Sequence, residues 1–279
     1  MIRRVAIWSV AVLVAVSGVL AILTYTYFWR SPGYYLEVTA APGEDRVISL
    51  RDYDDSHPVP YVIRADHLLV FGAAHTQDPH DAQFPVMERS WREFKPTVAL
   101  VEGRLGFLAP GLMDPVRTYG ETGRVNALAR SAGVPTYTWE VPWERTAADA
   151  AAKYPREQVA LYFVLRPYFS QVRQAKPDSP EKFVAEYLHR AAIPALGGAI
   201  RSVADIDRIW HRDFAGQPDW RDVADGGPLA GYLNDIAIDV DTARNRHLVR
   251  VVHALLGKGE RVFVICGASH AAQIEPALR

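Results

Sequence analysis

The sequence contains very little cysteine and almost no net charge. Among its 279 residues there is one cysteine, and 31 basic side chains face 32 acidic ones, for a formal net charge of −1. The single cysteine, Cys266, cannot form a disulfide within the chain, and its apolar neighbours favour a small buried side chain. A nearly neutral chain gives no electrostatic basis for binding nucleic acid, which requires concentrated positive charge.

Several motifs of common enzyme classes are also missing. The sequence contains no HExxH, no GxSxG, no phosphate-binding P-loop and no GxGxxG after a strand. Cys266 lacks the electropositive surroundings that activate a catalytic thiol. These absences argue against a serine hydrolase, a kinase, a dehydrogenase and a thiol protease.

Charged residues are absent from one long stretch, residues 5–29. As a helix it would be about 35 Å long, enough to cross a hydrocarbon core of about 30 Å. Arg3 and Arg4 precede it, so residues 1–30 are predicted to be a transmembrane anchor with a cytoplasmic N-terminus and an extracytoplasmic C-terminal domain. A cleaved signal peptide ending near Ala21 is the alternative, although the apolar run exceeds the roughly 7–15 residues of such peptides.

The rest of the chain predicts an α/β domain. Residues 31–60 are predicted to form a juxtamembrane linker and an irregular segment, and residues 61–279 the domain itself. Short apolar runs alternate with helical spacing, which predicts a central mixed, mostly parallel sheet with flanking helices, opened by a hairpin at Ala65-Asp66. Residues from about 147 to 225 are predicted to be a helical insertion over the site, where it would wall a substrate groove.

Two histidines follow apolar runs in the same short pattern. LLVFGAAHT places His75 three residues after Gly72, and VFVICGASH places His270 three residues after Gly267. Ligands of open α/β sheets bind beyond the carboxyl ends of the strands, so both imidazoles are expected at one edge. The glycines are expected to let the backbone turn sharply as it leaves the sheet.

Other polar side chains follow strands in the same way. Glu102 and Arg104 follow VALV, and Glu140 follows TYTW. Two imidazoles and two carboxylates can bind a divalent transition metal or transfer a proton. Asp78 and His80 lie in the loop after His75, but Pro79 argues against a metal-binding helix there, and loop capping is their simpler role.

An arginine interrupts the apolar stripe of the long helix predicted over about Asn234 to Leu256. Arg244 lies four residues from both Val240 and Leu248, so it shares their face. A buried guanidinium needs a carboxylate, a carbonyl or an anion, and Glu102 is the expected partner. Arg244, with the adjacent Asn245, would form either a structural ion pair or a clamp for an oxyanion.

The ordered set of motifs resembles the TraB/Tiki/GumN group, whose superfamily includes erythromycin-esterase-like and ChaN-like haem-binding proteins. The resemblance rests on Gly72–His75, Glu102 in VEGR, Arg244-Asn245 in ARNRH, and Gly267–His270. It implies a compact α/β fold and a membrane-tethered, metal-dependent peptidase. By the same resemblance His75 and His270 would be metal ligands and Glu102 a further ligand or general base. Arg244 and Asn245 would stabilise the oxyanion or hold Glu102.

Three functions use these residues differently. A divalent metal ion held by the histidines would activate water to hydrolyse a peptide or small-molecule substrate. Without metal, His75 would act as the general base, as in the esterase-like branch, with His270 or Glu102 in support. The third is haem or metal binding without turnover. A purely structural role for both histidines is the remaining alternative.

Overall fold

The computed structural model describes residues 12–22, 28–172, 175–223 and 228–279. It divides into two compact units. The first unit draws on residues 1–39, 56–140 and 251–272, and the second on 40–55, 141–250 and 273–279.

The first unit is built on a sheet that has six strands among the described residues. They are β1 (Gly33–Tyr34), β2 (Tyr61–Ala65), β3 (Leu68–Ala73), β4 (Val98–Val101), β5 (Thr136–Thr138) and β6 (Val262–Gly267). Their order in the sheet is β1-β5-β4-β6-β3-β2. β2 and β3 pair antiparallel as a hairpin, and every other neighbouring pair is parallel. The predicted mixed, mostly parallel sheet is therefore confirmed.

The central strands are buried along their whole length, which explains their unbroken apolar runs. All residues of β3, β4 and β6 are buried, as expected of parallel strands covered on both faces. Helix α2 (Gln83–Phe94) buries Met87 and Trp91 against this sheet, and Trp91 packs edge-on against Phe263 with ring centroids 5.0 Å apart. Each such side chain contributes about 1.5–3 kcal/mol through burial.

Helix α3 (Pro115–Ala132) has clear caps and an internal break. The Asp114 carboxylate accepts hydrogen bonds from the first-turn amides, and Gly133 ends the helix with φ 66°. The end at Gly133 is as predicted, but the helix begins before the predicted GRVNALARSAG segment. Tyr119 and Gly120 depart from helical geometry, and this break bears on the candidate site.

The second unit is helical in its described residues, in agreement with the helical character predicted for residues 147–225. Ser179 caps α6 (Pro180–Ala185), accepting from the Lys182 amide, and Pro180 occupies the first helical position. Helices α8 (Tyr232–Leu256) and α9 (Ala268–Leu278) each contribute residues to both units. The other helices are α4 (Trp143–Ala151), α5 (Arg156–Val172), α6 (Pro180–Ala185) and α7 (Val203–Asp213).

The predicted transmembrane span lies partly outside the described residues. Residues 12–22 are helical (α1), and their large apolar side chains are exposed. Within the described ranges, no helix has the length and apolar character needed to cross a bilayer. Residues 33 and 34 of the predicted linker form an edge strand, because β1 pairs with β5.

A partly exposed ion pair joins two segments of the second unit. The Glu44 carboxylate accepts hydrogen bonds from Arg250 Nη2 at 2.5 Å and Nε at 2.6 Å. It also accepts the Ala41 amide at 2.8 Å. The Arg250 guanidinium, followed by the Ala41 amide, lowers the pKa of Glu44 from 4.5 to about 2. The ionised carboxylate therefore stabilises the folded state above pH 4.5.

Replacing Glu44 with glutamine is expected to lower the free energy of unfolding by about 1 kcal/mol at neutral pH, because a charge-assisted pair at a partly exposed site is lost. The difference from the natural chain should shrink as the pH falls from 4.5 towards about 2, where Glu44 itself becomes protonated. Urea unfolding of the full chain in detergent, followed by circular dichroism, measures both effects. Glu93→Gln is the control, because its 3.8 Å pair with Arg64 is exposed; equal losses in both variants would contradict the assignment.

Candidate functional site

The two histidine motifs end neighbouring strands. β3 and β6 are adjacent and parallel, with Gly72 opposite Cys266 and Ala73 opposite Gly267. His75 follows β3 in a loop, whereas His270 lies in the first turn of α9. The carboxyl ends of the two strands therefore deliver both imidazoles to the same edge of the sheet.

Both imidazoles lie close to Gly267, the last residue of β6. A Cβ atom on Gly267 would lie 2.8 Å from His75 Nε2 and 3.7 Å from His270 Cδ2. Both ring edges thus approach the same backbone position. The two imidazoles therefore lie at the same strand end, as the repeated pattern predicts.

The expected reason for the two glycines is wrong. Neither Gly72 nor Gly267 has a positive φ, so neither is needed for a sharp turn. A Cβ on Gly72 would lie 2.7 Å from the Ala271 Cβ and 2.9 Å from the Ala268 Cα. Gly72 is required because backbone atoms approach too closely for a side chain, whereas at Gly267 the closest atom belongs to the His75 side chain.

His75 is held by a carboxylate that the sequence interpretation did not include. Its Nδ1 lies 2.6 Å from Oε1 of Glu121. The Glu121 side chain is 7% exposed, whereas that of His75 is 57% exposed. A buried carboxylate accepting from Nδ1–H leaves Nε2 as the basic nitrogen, and Nε2 is the atom beside Gly267.

Glu121 reaches His75 because α3 is broken just before it. Gly120 has φ 58° and ψ −146°, a conformation strained for any residue with a side chain. A Cβ there would also lie 2.8 Å from the Thr76 carbonyl oxygen. The loop that carries His75 therefore packs directly against the backbone of the break, next to Glu121.

A second buried side chain fixes the same loop from α2. Gln83 Nε2 donates to the Ala74 carbonyl at 2.9 Å, and its Oε1 accepts from the Ala74 amide at 3.0 Å. Gln83 is 4% exposed. Two hydrogen bonds to the residue before His75 restrict the position of the imidazole.

His270 has a more enclosed environment. Its Nε2 lies 3.5 Å from Glu102 Oε1, and its side chain is only 9% exposed. Glu102 Oε2 accepts the Gly267 amide at 2.7 Å. Trp139 packs edge-on against the imidazole with ring centroids 5.4 Å apart, and donates through Nε1 to the Ile265 carbonyl. Glu102 and His270 thus form a second, inner pair.

The weaker candidates have local roles. The Asp78 carboxylate accepts from the His80 amide at 3.0 Å, so Asp78 caps the loop, and both residues are exposed. Arg104 stacks over the Tyr34 ring at 5.3 Å. The Glu140 amide donates to the Thr138 hydroxyl at 3.2 Å.

Arg244 and Asn245 belong to the second unit, and both are buried. Within that unit Arg244 Nη1 lies 3.7 Å from Asp241 Oδ1, and Asn245 Nδ2 donates to Asp241 Oδ2 at 3.2 Å. A carboxylate near the buried guanidinium agrees with the physical expectation for an arginine on an apolar stripe. The pairing of Arg244 with Glu102, and a clamp for an oxyanion, stay predictions.

The described side chains do not assemble a three-ligand metal site. Among the residues that the structure describes, no three His, Cys, Asp or Glu side chains are placed to hold one ion. His75, His270 and Glu102 do not form such a group of three. Their predicted roles as ligands remain to be tested by metal binding.

Glu121 was missed because its segment has no apolar periodicity. It stands in GETG, where Gly120 precedes the predicted helix and Gly123 begins it. A carboxylate between glycines within a helical segment is unusual, because glycine destabilises helices by roughly 1 kcal/mol. That pattern could have indicated a break in the helix followed directly by a polar residue, Glu121.

Comparison of the chain with protein-family models, with curated proteins and with solved structures gave no match. The resemblance to the TraB/Tiki/GumN group therefore stays a prediction. Function has to be inferred from the residues of the site and their geometry.

Replacing Gly267 with alanine is expected to displace the His75 ring, because the new Cβ would lie 2.8 Å from Nε2. His75 is largely exposed and can move outward, so the loss of stability should be small, about 1 kcal/mol. NMR of the full chain with labelled histidine, assigned with His75→Ala, would show a shifted His75 resonance.

Gly33→Ala is the matched control for this substitution. Gly33 has no positive φ, and nothing lies within 4 Å of a Cβ at this position. Its histidine resonances should equal those of the natural chain. An unchanged His75 resonance in Gly267→Ala would show that the imidazole does not occupy the position described.

Proposed function

We propose that the chain is a hydrolase in which His75, oriented by Glu121, is the general base that activates water. The observation that carries this proposal is the 2.6 Å contact between a buried carboxylate and a largely exposed imidazole. Such a carboxylate orients the ring and stabilises the imidazolium that forms when Nε2 accepts a proton. General-base catalysis of this kind contributes about 10²–10⁴-fold in rate.

Glu102 and His270 would act as positioning residues. Glu102 accepts a hydrogen bond from the Gly267 amide, and His75 Nε2 packs against Gly267. His270 lies beside the same position but is enclosed by Trp139 and faces Glu102. Glu102 and His270 would keep the end of β6 in place, while His75, oriented by Glu121, accepts the proton.

The metal-dependent form of the hypothesis uses the same nitrogen of His75. A metal ion there would supply a Lewis acid, and Glu121 would orient the histidine ligand, as carboxylates commonly do behind metal-bound imidazoles. The metal-free, esterase-like form is the one proposed, because a buried carboxylate behind a largely exposed imidazole suits a general base.

A membrane location for this hydrolase is proposed on the charge-free segment 5–29. Its length suits a bilayer, and Arg3 and Arg4 favour a cytoplasmic N-terminus. The resemblance to tethered peptidases supports the same placement. The substrate class is then a peptide or a small ester or amide met outside the cytoplasm.

The proposal predicts that His75→Ala lowers kcat by about 10²–10⁴-fold and that Glu121→Gln lowers it by at least about tenfold, because the base and then its orienting carboxylate are lost. The measurement uses the full chain in detergent with chromogenic esters and fluorogenic peptides. His80→Ala is the control, because His80 is an exposed histidine of the same loop. Full activity in His75→Ala would contradict the proposal.

Chelation and haem titration distinguish the alternatives in the same preparation. Activity that survives exhaustive chelation supports the metal-free base. Loss of activity on chelation, with bound metal that disappears in His75→Ala, would replace it with the metal-dependent form. A Soret band lost in His75→Ala, without hydrolysis, would indicate a haem-binding protein.

A further inference from the structure

An exposed apolar loop leaves the sheet close to the candidate site. Residues 105–113, LGFLAPGLM, follow Glu102 and contain no charge. Leu112 is 87% exposed and Phe107 is 58% exposed. Leu112 is the most exposed large apolar residue among those the structure describes. Burial of two such side chains would release about 1.5–3 kcal/mol each, so exposure to water is costly.

This loop is joined to the end of the charge-free N-terminal segment. The Trp29 amide donates to the Leu108 carbonyl at 3.0 Å, and the two residues form an antiparallel bridge. The Phe28 and Phe107 rings lie 5.0 Å apart, centroid to centroid. The Ser31 hydroxyl donates to the Leu105 carbonyl. The loop therefore packs against the last two residues of the apolar run 5–29.

Four of the five charged residues in three segments beside the loop are arginines. Asp114 is the one acidic residue in segments 28–34, 104–117 and 127–131, and its carboxylate caps α3 through the Val116 and Arg117 amides. Arginines near an anionic membrane surface contribute about 1 kcal/mol each to attraction. The exposed arginines of these segments are Arg30, Arg104, Arg117 and Arg130.

We propose that the loop 105–113 docks into the interface of an anionic lipid bilayer, with Phe107 and Leu112 at the acyl boundary and the arginines among the headgroups. An apolar tip with basic flanks is the composition that suits this interface. The inference rests on the membrane anchor proposed above, because residues 28 and 29 tie the loop to the end of that segment.

The docked loop would also hold the candidate site near the lipid surface. The Phe107 carbonyl accepts from the Tyr119 hydroxyl at 2.8 Å. Tyr119 begins the break in α3 that positions Glu121 against His75. Substrates carried at the membrane surface are therefore favoured over substrates in bulk solution.

The test places an environment-sensitive nitrobenzoxadiazole dye on Leu112→Cys in the full chain, reconstituted in vesicles of phosphatidylglycerol and phosphatidylcholine. Leu112 is so exposed that the label should not disturb the fold. Blue-shifted emission is expected, with quenching by spin-labelled lipid at least about twofold stronger than at a control site, because the dye enters the interface. Vesicles of phosphatidylcholine alone should weaken the quenching.

Val62→Cys is the control site. Val62 is 40% exposed on β2, at the opposite edge of the sheet from β1. The native Cys266 is buried, so the unsubstituted chain measures background labelling.

Flotation separates the two proposals. A chain that floats with the vesicles but shows equal quenching at positions 112 and 62 overturns the docking loop and leaves the anchor intact. A chain that does not float overturns both.

Discussion

The candidate site depends on the parallel pairing of β3 with β6. These strands lie nearly two hundred residues apart in the chain, and their register sets Ala73 opposite Gly267. Both are buried along their whole length, so apolar burial offsets the entropy lost in closing so long a loop. A slip of one residue would turn the buried side chains to the opposite faces and separate the two histidines.

Two copies of one short pattern have acquired different environments. His75 stands in a loop, largely exposed, with its Nδ1 held by a buried carboxylate. His270 stands at the start of a helix, enclosed by Trp139 and facing Glu102. Because solvent access and hydrogen-bond partners decide what an imidazole can do, His75 is the histidine proposed to meet a substrate. His270 faces Glu102, which in turn holds the backbone amide of Gly267.

The apolar loop after β4 joins the candidate site to the proposed membrane surface through short contacts. Its backbone is bonded to Trp29 on one side and to Tyr119 on the other. The break that follows Tyr119 presents Glu121 to His75. The same break in one helix thus positions the carboxylate that contacts His75 and supports the loop, which explains why glycine is needed at position 120.

Local patterns of the sequence determined strands β2 to β6, the hairpin, the Gly133 and Ser179 caps and the shared edge of the two histidines, because backbone propensity and apolar periodicity act over a few residues. The edge strand β1 was not predicted, because it is defined by its pairing with the distant β5. Tertiary structure decided the partner of His75. Glu121 reaches it only through the break at Gly120 and the contact with Thr76, which residues distant in the chain create together. Tertiary packing likewise explains the glycines at positions 72 and 267, because atoms from distant parts of the chain lie where a side chain would be. Local sequence does not reveal such contacts.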